Sequence, residues 1–449
     1  MTLAAKLSPE SEAVAQTPSF WLARPEFGLW AIGFALVVLQ AAGAAAQLAD
    51  AVRVNVAVIL LQGVAYLLAV RLVARGASAN LAIVLSVSAI LRLTLLFLPP
   101  FLSDDIFRYI WDGRVQGAGI NPYLYIPNDP ALAGLRDADI WPHINRADYA
   151  PTIYPPVAQA LFFLITRVSD SVVAMKAAWV LFEGVMAWGL VRLLEGAGQP
   201  KARLLIFAWC PLGVWETAGS GHLDAAMAAF VVLALWARMR GQDGFAGAAL
   251  GLAALVKFFP LVIAPALWRR WDWRLPAAFA AVVVVGYLPY LGAGSKVLGF
   301  LSGYSHEEGL ASGKGFWVVN LVLRTTGLSA SPLAYVALTG LLLAGLALVL
   351  VLSRDPGRAI PGGLALAAVG MIALSPNHPW YFVWLAPFLC FRPEPALLWL
   401  VAAAPLLYWP NPFDTPWNAD IVYGGVFLLA LIGLYRRRSR LYSALREHA

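Results

Sequence analysis

Two adjacent carboxylates, Asp104 and Asp105, open the run of the chain that is richest in chemically capable residues, SDDIFRYIWDGRVQGAGINPYLY at 103–125. Neighbouring carboxylates repel each other, so one of them is expected to hold a proton tightly or to be compensated by a cation such as Arg108. A carboxylate placed in this way can act as a general base on a hydroxyl group. The alternative is an ordinary helix start in water, with Ser103 or Asp104 as the N-cap residue. The surrounding aromatic residues and the preceding long apolar run favour the first interpretation.

A second group of ionisable residues lies in PLGVWETAGSGHLDA at 211–225, between two apolar runs. A turn of small residues there separates Glu216 from His222 and Asp224. Charged groups at a helix end near lipid are costly unless they pair, meet water or bind a ligand. An ordinary polar turn explains the glycines well but the three ionisable residues less well, so this stretch predicts part of a site.

Two further stretches each carry a basic or ring side chain. In AALVKFFPL at 253–261, two apolar runs meet at Lys257, which predicts a nearby anion such as a phosphate, with snorkelling to the membrane interface as the alternative. In SPNHPWY at 375–381, His378 lies in a proline-flanked turn beside Trp380. These residues fit either a rigid turn at a ligand or an aromatic belt at the membrane interface.

The remaining histidines and cysteines give no metal-binding pattern. No two histidines lie at a ligand-like helical spacing, and the run His306-Glu307-Glu308 is interpreted as a solvated loop. Cys210 and Cys390 lie in apolar runs and are interpreted as core residues. The sequence therefore predicts no metal and no cofactor.

The elements that must position these groups are apolar helices. Of the 449 residues, 61% are hydrophobic and 13% are charged, and the mean hydropathy is +0.72. A soluble domain has roughly a quarter charged residues, and apolar windows of about 20 residues are typical of bilayer-spanning helices. The net charge of +7 is spread over short clusters between apolar runs, which argues against a nucleic-acid partner. We predict an all-α polytopic integral membrane protein with about 12–14 transmembrane helices.

The basic clusters predict the orientation of these helices, because positive residues concentrate in cytoplasmic loops. Extracytoplasmic loops are then expected at about 99–171 and 293–331, and all four chemically capable stretches fall on the extracytoplasmic face of the inner (cytoplasmic) membrane. The apolar stretch 154–165 would invert every later helix if it crossed, so we expect an interfacial or re-entrant helix there. Three parts are predicted: a cytoplasmic tail (1–27), a single transmembrane domain (28–435) and a basic cytoplasmic tail (436–449).

Together these motifs resemble the GT-C fold of membrane glycosyltransferases that use polyprenyl-phosphate sugars, and most closely the bacterial polyprenyl-phosphate-mannose-dependent mannosyltransferases. The likeness covers roughly 80–392 and rests on the stretches at 103–123, 211–225, 253–261 and 375–381, together with TIYPPVAQALF at 152–162. The acidic motif of the first outer loop is moderately specific to the fold, and the GHLDA and lysine stretches narrow the resemblance towards the mannosyl group.

Two features depart from the family pattern. The apolar segments 28–46 and 54–73 precede the span before the acidic motif, whereas in many relatives that span comes first. Leu223 stands where the second motif of the family often carries Asn. The second departure bears on the identity of the sugar more than on the fold.

The resemblance implies a reaction and a site. Asp104 or Asp105 would deprotonate the acceptor hydroxyl, which attacks the anomeric carbon of the lipid-linked sugar with inversion, so that a β-linked donor gives an α-glycoside. Lys257 and Arg108 would stabilise the departing phosphate. Other residues would contact the substrates: Tyr109, Trp111, Tyr154, Glu216, His222, Asp224, His378 and Trp380.

The expected function is transfer of a hexose, by resemblance mannose, from a polyprenyl-phosphate donor to an extracytoplasmic glycan or lipid acceptor, with membrane lipids as further partners. A lipid-linked-sugar flippase or transporter is the first alternative, but it would place ionisable groups near the bilayer midplane in two related halves. An oligosaccharide ligase with a lipid-pyrophosphate donor is the second, but it would need several cations where Lys257 stands nearly alone.

Overall fold

The apolar runs of the sequence form α-helices, and no β-strand occurs in the part of the chain that is described. The computed structural model describes residues 25–77, 79–410 and 416–447, without the side chains of 25, 356 and 440–447. Most of the predicted N-terminal tail, 1–27, and the last two residues of the predicted basic tail, 436–449, lie outside the described residues. The all-α polytopic class is confirmed.

The α-helices are numbered here in chain order over the described residues. Several are interrupted or extended by 3-10 turns, and a five-residue π-helix, Trp215–Gly219, follows α8. The helices are α1 (Pro25–Leu48), α2 (Val52–Ala74), α3 (Leu81–Leu96), α4 (Asp105–Gly117), α5 (Pro156–Val168), α6 (Val172–Gly196), α7 (Leu205–Ala208), α8 (Pro211–Val214), α9 (Asp224–Met239), α10 (Asp243–Ala254), α11 (Ala264–Leu267), α12 (Arg274–Tyr287), α13 (Leu301–Glu307), α14 (Trp317–Thr326), α15 (Pro332–Leu352), α16 (Ala359–Leu374), α17 (Ala386–Leu389), α18 (Pro395–Ala403) and α19 (Trp417–Glu447).

Within the described residues, six helical segments are long and apolar enough to cross a membrane, and five shorter apolar helices accompany them. The outward faces of the long helices are apolar: on α15, Leu333, Leu338 and Leu341 are 79%, 68% and 70% exposed. An apolar face of this kind is stable against lipid rather than water. The six segments are Glu26–Leu48, Val52–Ala74, Val172–Gly196, Arg274–Glu307, Pro332–Leu352 and Trp417–Ser439.

Helix α9 lies at the centre of the bundle, where it packs against α6 and α10. Its first two turns carry alanines that are fully buried, among them Ala225, Ala228 and Ala229. Small side chains let helix backbones approach closely in a membrane. This close packing fixes the N-terminus of α9, and with it Asp224, in the interior of the protein.

A buried ion pair joins α3 to α6. The Arg92 guanidinium donates from Nε to Glu183 Oε2 at 2.8 Å and from Nη2 to Glu183 Oε1 at 3.0 Å. Its Nη1 also donates to the carbonyl oxygen of Ala208 at 2.9 Å, which adds the short helix α7 to the contact. A charged side chain inside a span is costly unless it is compensated, and Glu183 supplies that compensation.

The connection between α3 and α6 is folded rather than extended, and α4 packs against α5 within it. Helix α5 covers most of the apolar stretch 154–165 and begins at Pro156, where the fixed φ of proline suits a first helical position. Its 13 residues span about 20 Å, less than the hydrocarbon core of about 30 Å. The length of α5 therefore does not suffice for a membrane crossing.

Candidate active site

A cavity of about 860 Å³ opens where α4, the turn before the 3-10 helix Phe259–Ile263, α13 and the 3-10 helix Pro379–Leu385 meet. Its volume lies in the range of small-molecule sites, about 300–1,000 Å³. Six of the residues singled out by the sequence line it: Asp105, Arg108, Tyr154, Lys257, His378 and Trp380.

The two adjacent aspartates occupy different environments. Asp105 is the first residue of α4 and lines the cavity, where its Oδ1 accepts a hydrogen bond from Asn145 Nδ2 at 2.9 Å. Its Oδ2 accepts a longer one from the Tyr154 hydroxyl at 3.4 Å. Asp104 is exposed, lies outside the cavity lining and makes no side-chain capping bond at the helix start. Partial desolvation and the neighbouring charge of Asp105 raise the pKa of Asp104.

Lys257 meets an anion in the structure, the carboxylate of Asp224. Lys257 Nζ donates to Asp224 Oδ2 at 2.6 Å, and it lies 5.1 Å from the ring centroid of Tyr381. Asp224 is 1% exposed, and its second oxygen, Oδ1, has no hydrogen-bond partner among the residues that the structure describes. The pair thus sets one cation into the cavity wall and one carboxylate behind it.

His222 and Glu216 lie behind the same wall. The His222 ring is 1% exposed, with Nδ1 3.9 Å from Asp105 Oδ2 and Nε2 3.5 Å from Glu216 Oε2. Glu216 Oε2 also accepts a hydrogen bond of 3.1 Å from the hydroxyl of Tyr408, which itself lines the cavity. The side chains of Asp105, His222, Glu216 and Tyr408, which come from separate parts of the chain, therefore lie in a continuous polar row.

Three rings are stacked at one side of the cavity. Trp380 lies between His222, with ring centroids 4.1 Å apart, and His378, with ring centroids 4.3 Å apart. The Nε2 atom of His378 is 3.2 Å from Glu308 Oε1. Although burial of Glu308 opposes its ionisation, the hydrogen bond to His378 lowers the pKa of this carboxyl. The sequence-based interpretation of Glu308 as part of a solvated loop is therefore wrong.

Five of the eight residues expected to contact substrate do not line the cavity: Glu216, His222 and Asp224 lie behind its wall, and Tyr109 and Trp111 are the other two. Tyr109 is buried and stacks on Phe162, and Trp111 is buried against Trp141. Tyr109, four residues after Asp105 on α4, packs against Tyr154, with ring centroids 5.0 Å apart. Arg108 lines the cavity, but its Nε is bound to Asp112 Oδ1 at 2.9 Å in a buried ion pair.

Several cavity residues carry no signal in the sequence. Arg146 is the clearest case: its φ of +54° is rare for a residue with a side chain, and its Nε is paired with Glu307 Oε2 at 2.7 Å. It lies in an irregular segment without hydrophobic periodicity, so no sequence pattern indicates it. Its unusual backbone conformation is visible only in the structure. The other cavity residues of this kind are Asn145, Tyr304 and Tyr408.

The site shows no metal-binding constellation. Throughout the part of the chain that the structure describes, no three His, Cys, Asp or Glu side chains converge on a point where an ion would sit. The chemistry that these residues can perform is proton transfer by a carboxylate and stabilisation of an anion by Lys257 and Arg146.

Comparison with known protein families agrees with this chemistry. The family described as Alpha-(1->6)-mannopyranosyltransferase, N-terminal domain (MptA_B family) matches residues 27–272, a range that includes Asp105, His222 and Lys257. No curated protein and no solved structure matches the chain. The family match confirms the resemblance to the membrane mannosyltransferases. Because it spans more than half of the chain, the protein belongs to the MptA_B family and is a membrane-embedded mannosyltransferase.

Proposed function

We propose that the protein transfers mannose from a polyprenyl-phosphate donor to a hydroxyl of an extracytoplasmic glycan or lipid, with inversion at the anomeric carbon and formation of an α-(1→6) linkage. The linkage follows the description of the family. The observation that carries the proposal is the placement of Asp105 and two cations, Lys257 and Arg146, around one cavity that also has apolar walls.

The cavity suits a donor that is part sugar phosphate and part lipid. Its lining includes the charged groups of Asp105 and Lys257 and the apolar rings of Phe258, Phe259 and Phe300. A polyprenyl phosphate presents an anion and a hydrocarbon chain to the protein, and a lining of both kinds matches these two parts.

The reaction assigns one role to each group. Asp105 removes the proton of the acceptor hydroxyl, whose oxygen forms a bond to the anomeric carbon of mannose from the face opposite the phosphate. The bond from that carbon to the phosphate oxygen breaks, and the polyprenyl phosphate leaves with the electron pair. Lys257 stabilises the negative charge that develops on the leaving phosphate, and Arg146 binds the phosphate group equally in the donor and in the leaving group. The proton remains on Asp105 until product release.

The positive-inside rule supports an extracytoplasmic opening of the cavity. Basic residues assigned to the cytoplasm by the sequence gather away from the cavity lining. Arg238 and Arg269 lie 3.8 Å and 3.4 Å from the carboxylate of Asp243, and Arg437 lies 3.1 Å from Glu394. The basic clusters and the polar residues of the cavity therefore lie at different ends of the helices.

A direct assay tests the proposal. Purified protein in lipid nanodiscs is incubated with radiolabelled polyprenyl-phosphate mannose and an α-mannoside acceptor, and the product is digested with linkage-specific mannosidases. Mannose in an α-(1→6) linkage supports the proposal. Consumption of a lipid-pyrophosphate oligosaccharide instead would indicate a ligase, and movement of the donor across a vesicle bilayer without transfer would indicate a flippase.

Replacement of Arg146 by Gln is expected to raise the KM for the donor about tenfold and to change kcat less, because one charge-assisted hydrogen bond to the phosphate is lost. The measurement is initial rate against donor concentration at saturating acceptor. Arg136→Gln is the matched control, since Arg136 lies in the same connection but packs on Trp141 outside the cavity lining. An unchanged donor KM in Arg146→Gln contradicts the role of Arg146.

A further inference from the structure

The carboxylate of Asp105 is held by a side chain that lies 40 positions further along the chain. Asn145 Nδ2 donates a hydrogen bond to Asp105 Oδ1 at 2.9 Å, and both residues line the cavity. The hydroxyl of Tyr154, at 3.4 Å from Oδ2, makes a longer and weaker contact. Asn145 therefore makes the shortest side-chain hydrogen bond to Asp105 among the residues that the structure describes.

The charges around Asp105 give this hydrogen bond a role. Asp104 and Asp224 act electrostatically on Asp105, and like charges oppose its ionisation. A hydrogen bond donated to the ionised form of a carboxyl favours that form. The amide group of Asn145 supplies such a bond without adding a charge to the cavity.

The segment that carries Asn145 is fixed at two points. Arg146 has a φ of +54°, and with this left-handed conformation both Asn145 and Arg146 line the cavity. Arg108 Nη1 donates to the carbonyl oxygen of Ala150 at 3.1 Å, which ties the segment to α4, the helix that begins at Asp105. The position of the Asn145 amide relative to the carboxylate is therefore set by the fold rather than by a free side chain.

We propose that Asn145 is a positioning residue for the transfer reaction: its amide holds Asp105 ionised and in the orientation that takes the proton of the acceptor hydroxyl. The inference rests on the proposed function. Asn145 itself neither gives nor takes a proton. The acceptor O–H bond breaks, the proton passes to Asp105, and the acceptor oxygen bonds to the anomeric carbon as the polyprenyl phosphate leaves. A base held in a productive geometry reacts faster than one that rotates freely.

Other titratable groups surround the carboxylate, and all of them are retained in the variants below. A change in the pH profile of these variants therefore reports on the amide of Asn145. The groups that act electrostatically on Asp105 are Asp104, Tyr109, Arg146, Tyr154, Glu216, His222, Asp224, Tyr304, Tyr381 and Tyr408. The further charged or titratable groups that line the same cavity are Arg108, Lys257 and His378.

The test is the pH dependence of mannosyl transfer by Asn145→Leu, in which a side chain of similar size has no donor. We expect kcat on the plateau of the profile to fall about tenfold at an unchanged donor KM, because the carboxylate is no longer oriented. The acid limb of the kcat profile is expected to move to higher pH by about one unit. The shift has this sign because the ionised carboxylate loses a hydrogen bond and therefore takes up a proton at higher pH.

Two further variants serve as controls. Asn145→Gln keeps the amide donor on a side chain that is longer by one methylene group, and it is expected to recover part of the rate and to return the acid limb towards its original pH. Asn128→Leu is the matched control, since the Asn128 amide donates to Asp148 Oδ1 at 2.7 Å in an exposed contact outside the cavity lining. It is expected to leave kcat and the acid limb unchanged.

Each outcome decides the inference. An acid limb that does not move in Asn145→Leu overturns it, and so does a raised donor KM at constant kcat, which would make Asn145 a substrate contact. Equal losses in the Leu and Gln variants with lowered melting temperatures also overturn it, since they indicate packing alone. If Asn145→Leu does not fold, Asn145→Ser, whose side chain is too short to keep the bond, is measured in its place. Failure of the unaltered protein to transfer mannose would instead contradict the proposed function, before any variant is compared.

Discussion

Replacement of Asp105 by Asn is expected to lower kcat about 10²- to 10⁴-fold, the usual contribution of a general base. Asn keeps the shape of the side chain and can still accept a hydrogen bond from the Tyr154 hydroxyl, now 3.4 Å from Asp105 Oδ2. It cannot take the proton of the acceptor. Donor binding should therefore survive, and the loss should appear in kcat rather than in the donor KM.

The matched control is Asp104→Asn, which removes the neighbouring carboxylate from an exposed position outside the cavity lining. Its kcat is expected to stay near that of the unaltered protein. Initial rates with labelled polyprenyl-phosphate mannose, together with equilibrium binding of unlabelled polyprenyl phosphate, separate chemistry from binding. Equal loss in both variants, or retained turnover in Asp105→Asn, contradicts the assignment of the base to Asp105.

Replacement of Lys257 by Met is expected to impair both stability and turnover. It leaves the carboxylate of Asp224, 1% exposed, without its partner at 2.6 Å. Loss of one member of a buried ion pair typically costs about 3–5 kcal/mol of unfolding free energy. It also removes a cation from the cavity, so transfer should fall because the leaving phosphate loses stabilisation.

The double variant Lys257→Met/Asp224→Asn separates the two effects. The neutral Asn relieves the buried charge, so we expect thermal stability in detergent to recover while transfer stays low. Lys201→Met is the control, because Lys201 pairs with Glu195 in an exposed position and its loss should leave the melting temperature nearly unchanged. Recovery of transfer in the double variant would show that Lys257 acts only as the counter-ion of Asp224.

The helical fold could be predicted from the sequence, but the choice of which residues line the cavity could be predicted only in part. Long apolar runs such as 332–353 correspond to helices, here Pro332–Leu352, because a backbone in lipid must satisfy its own hydrogen bonds. Adjacent residues at a helix start, however, point in directions about 100° apart, so no pattern tells which of Asp104 and Asp105 faces a cavity. The structure assigns that place to Asp105.

Residue type alone did not identify the residues that line the cavity: two of the four aromatic candidates and four of the eight ionisable candidates do so. Tyr109 and Trp111 belong to the same short helix as Asp105, yet both are buried against other elements and lie outside the cavity lining. Arg146 and Glu308, in contrast, reach the site from irregular segments that are far apart in the chain, through contacts with Glu307 and His378. Such pairings depend on the tertiary fold, so neither residue shows a local signature.

The ion pair of Arg92 and Glu183 bears on how the chain enters the membrane during synthesis. The two residues are separated by 91 positions, so α3 emerges from the ribosome well before its counter-charge exists. At about 5–20 residues per second, that interval is roughly 5–20 s. Until α6 arrives, the arginine alone makes residence in the hydrocarbon core unfavourable by about 2.5–3.5 kcal/mol. Helix α3, which leads directly into Asp105, therefore gains the compensation of its arginine only after α6 has entered the membrane.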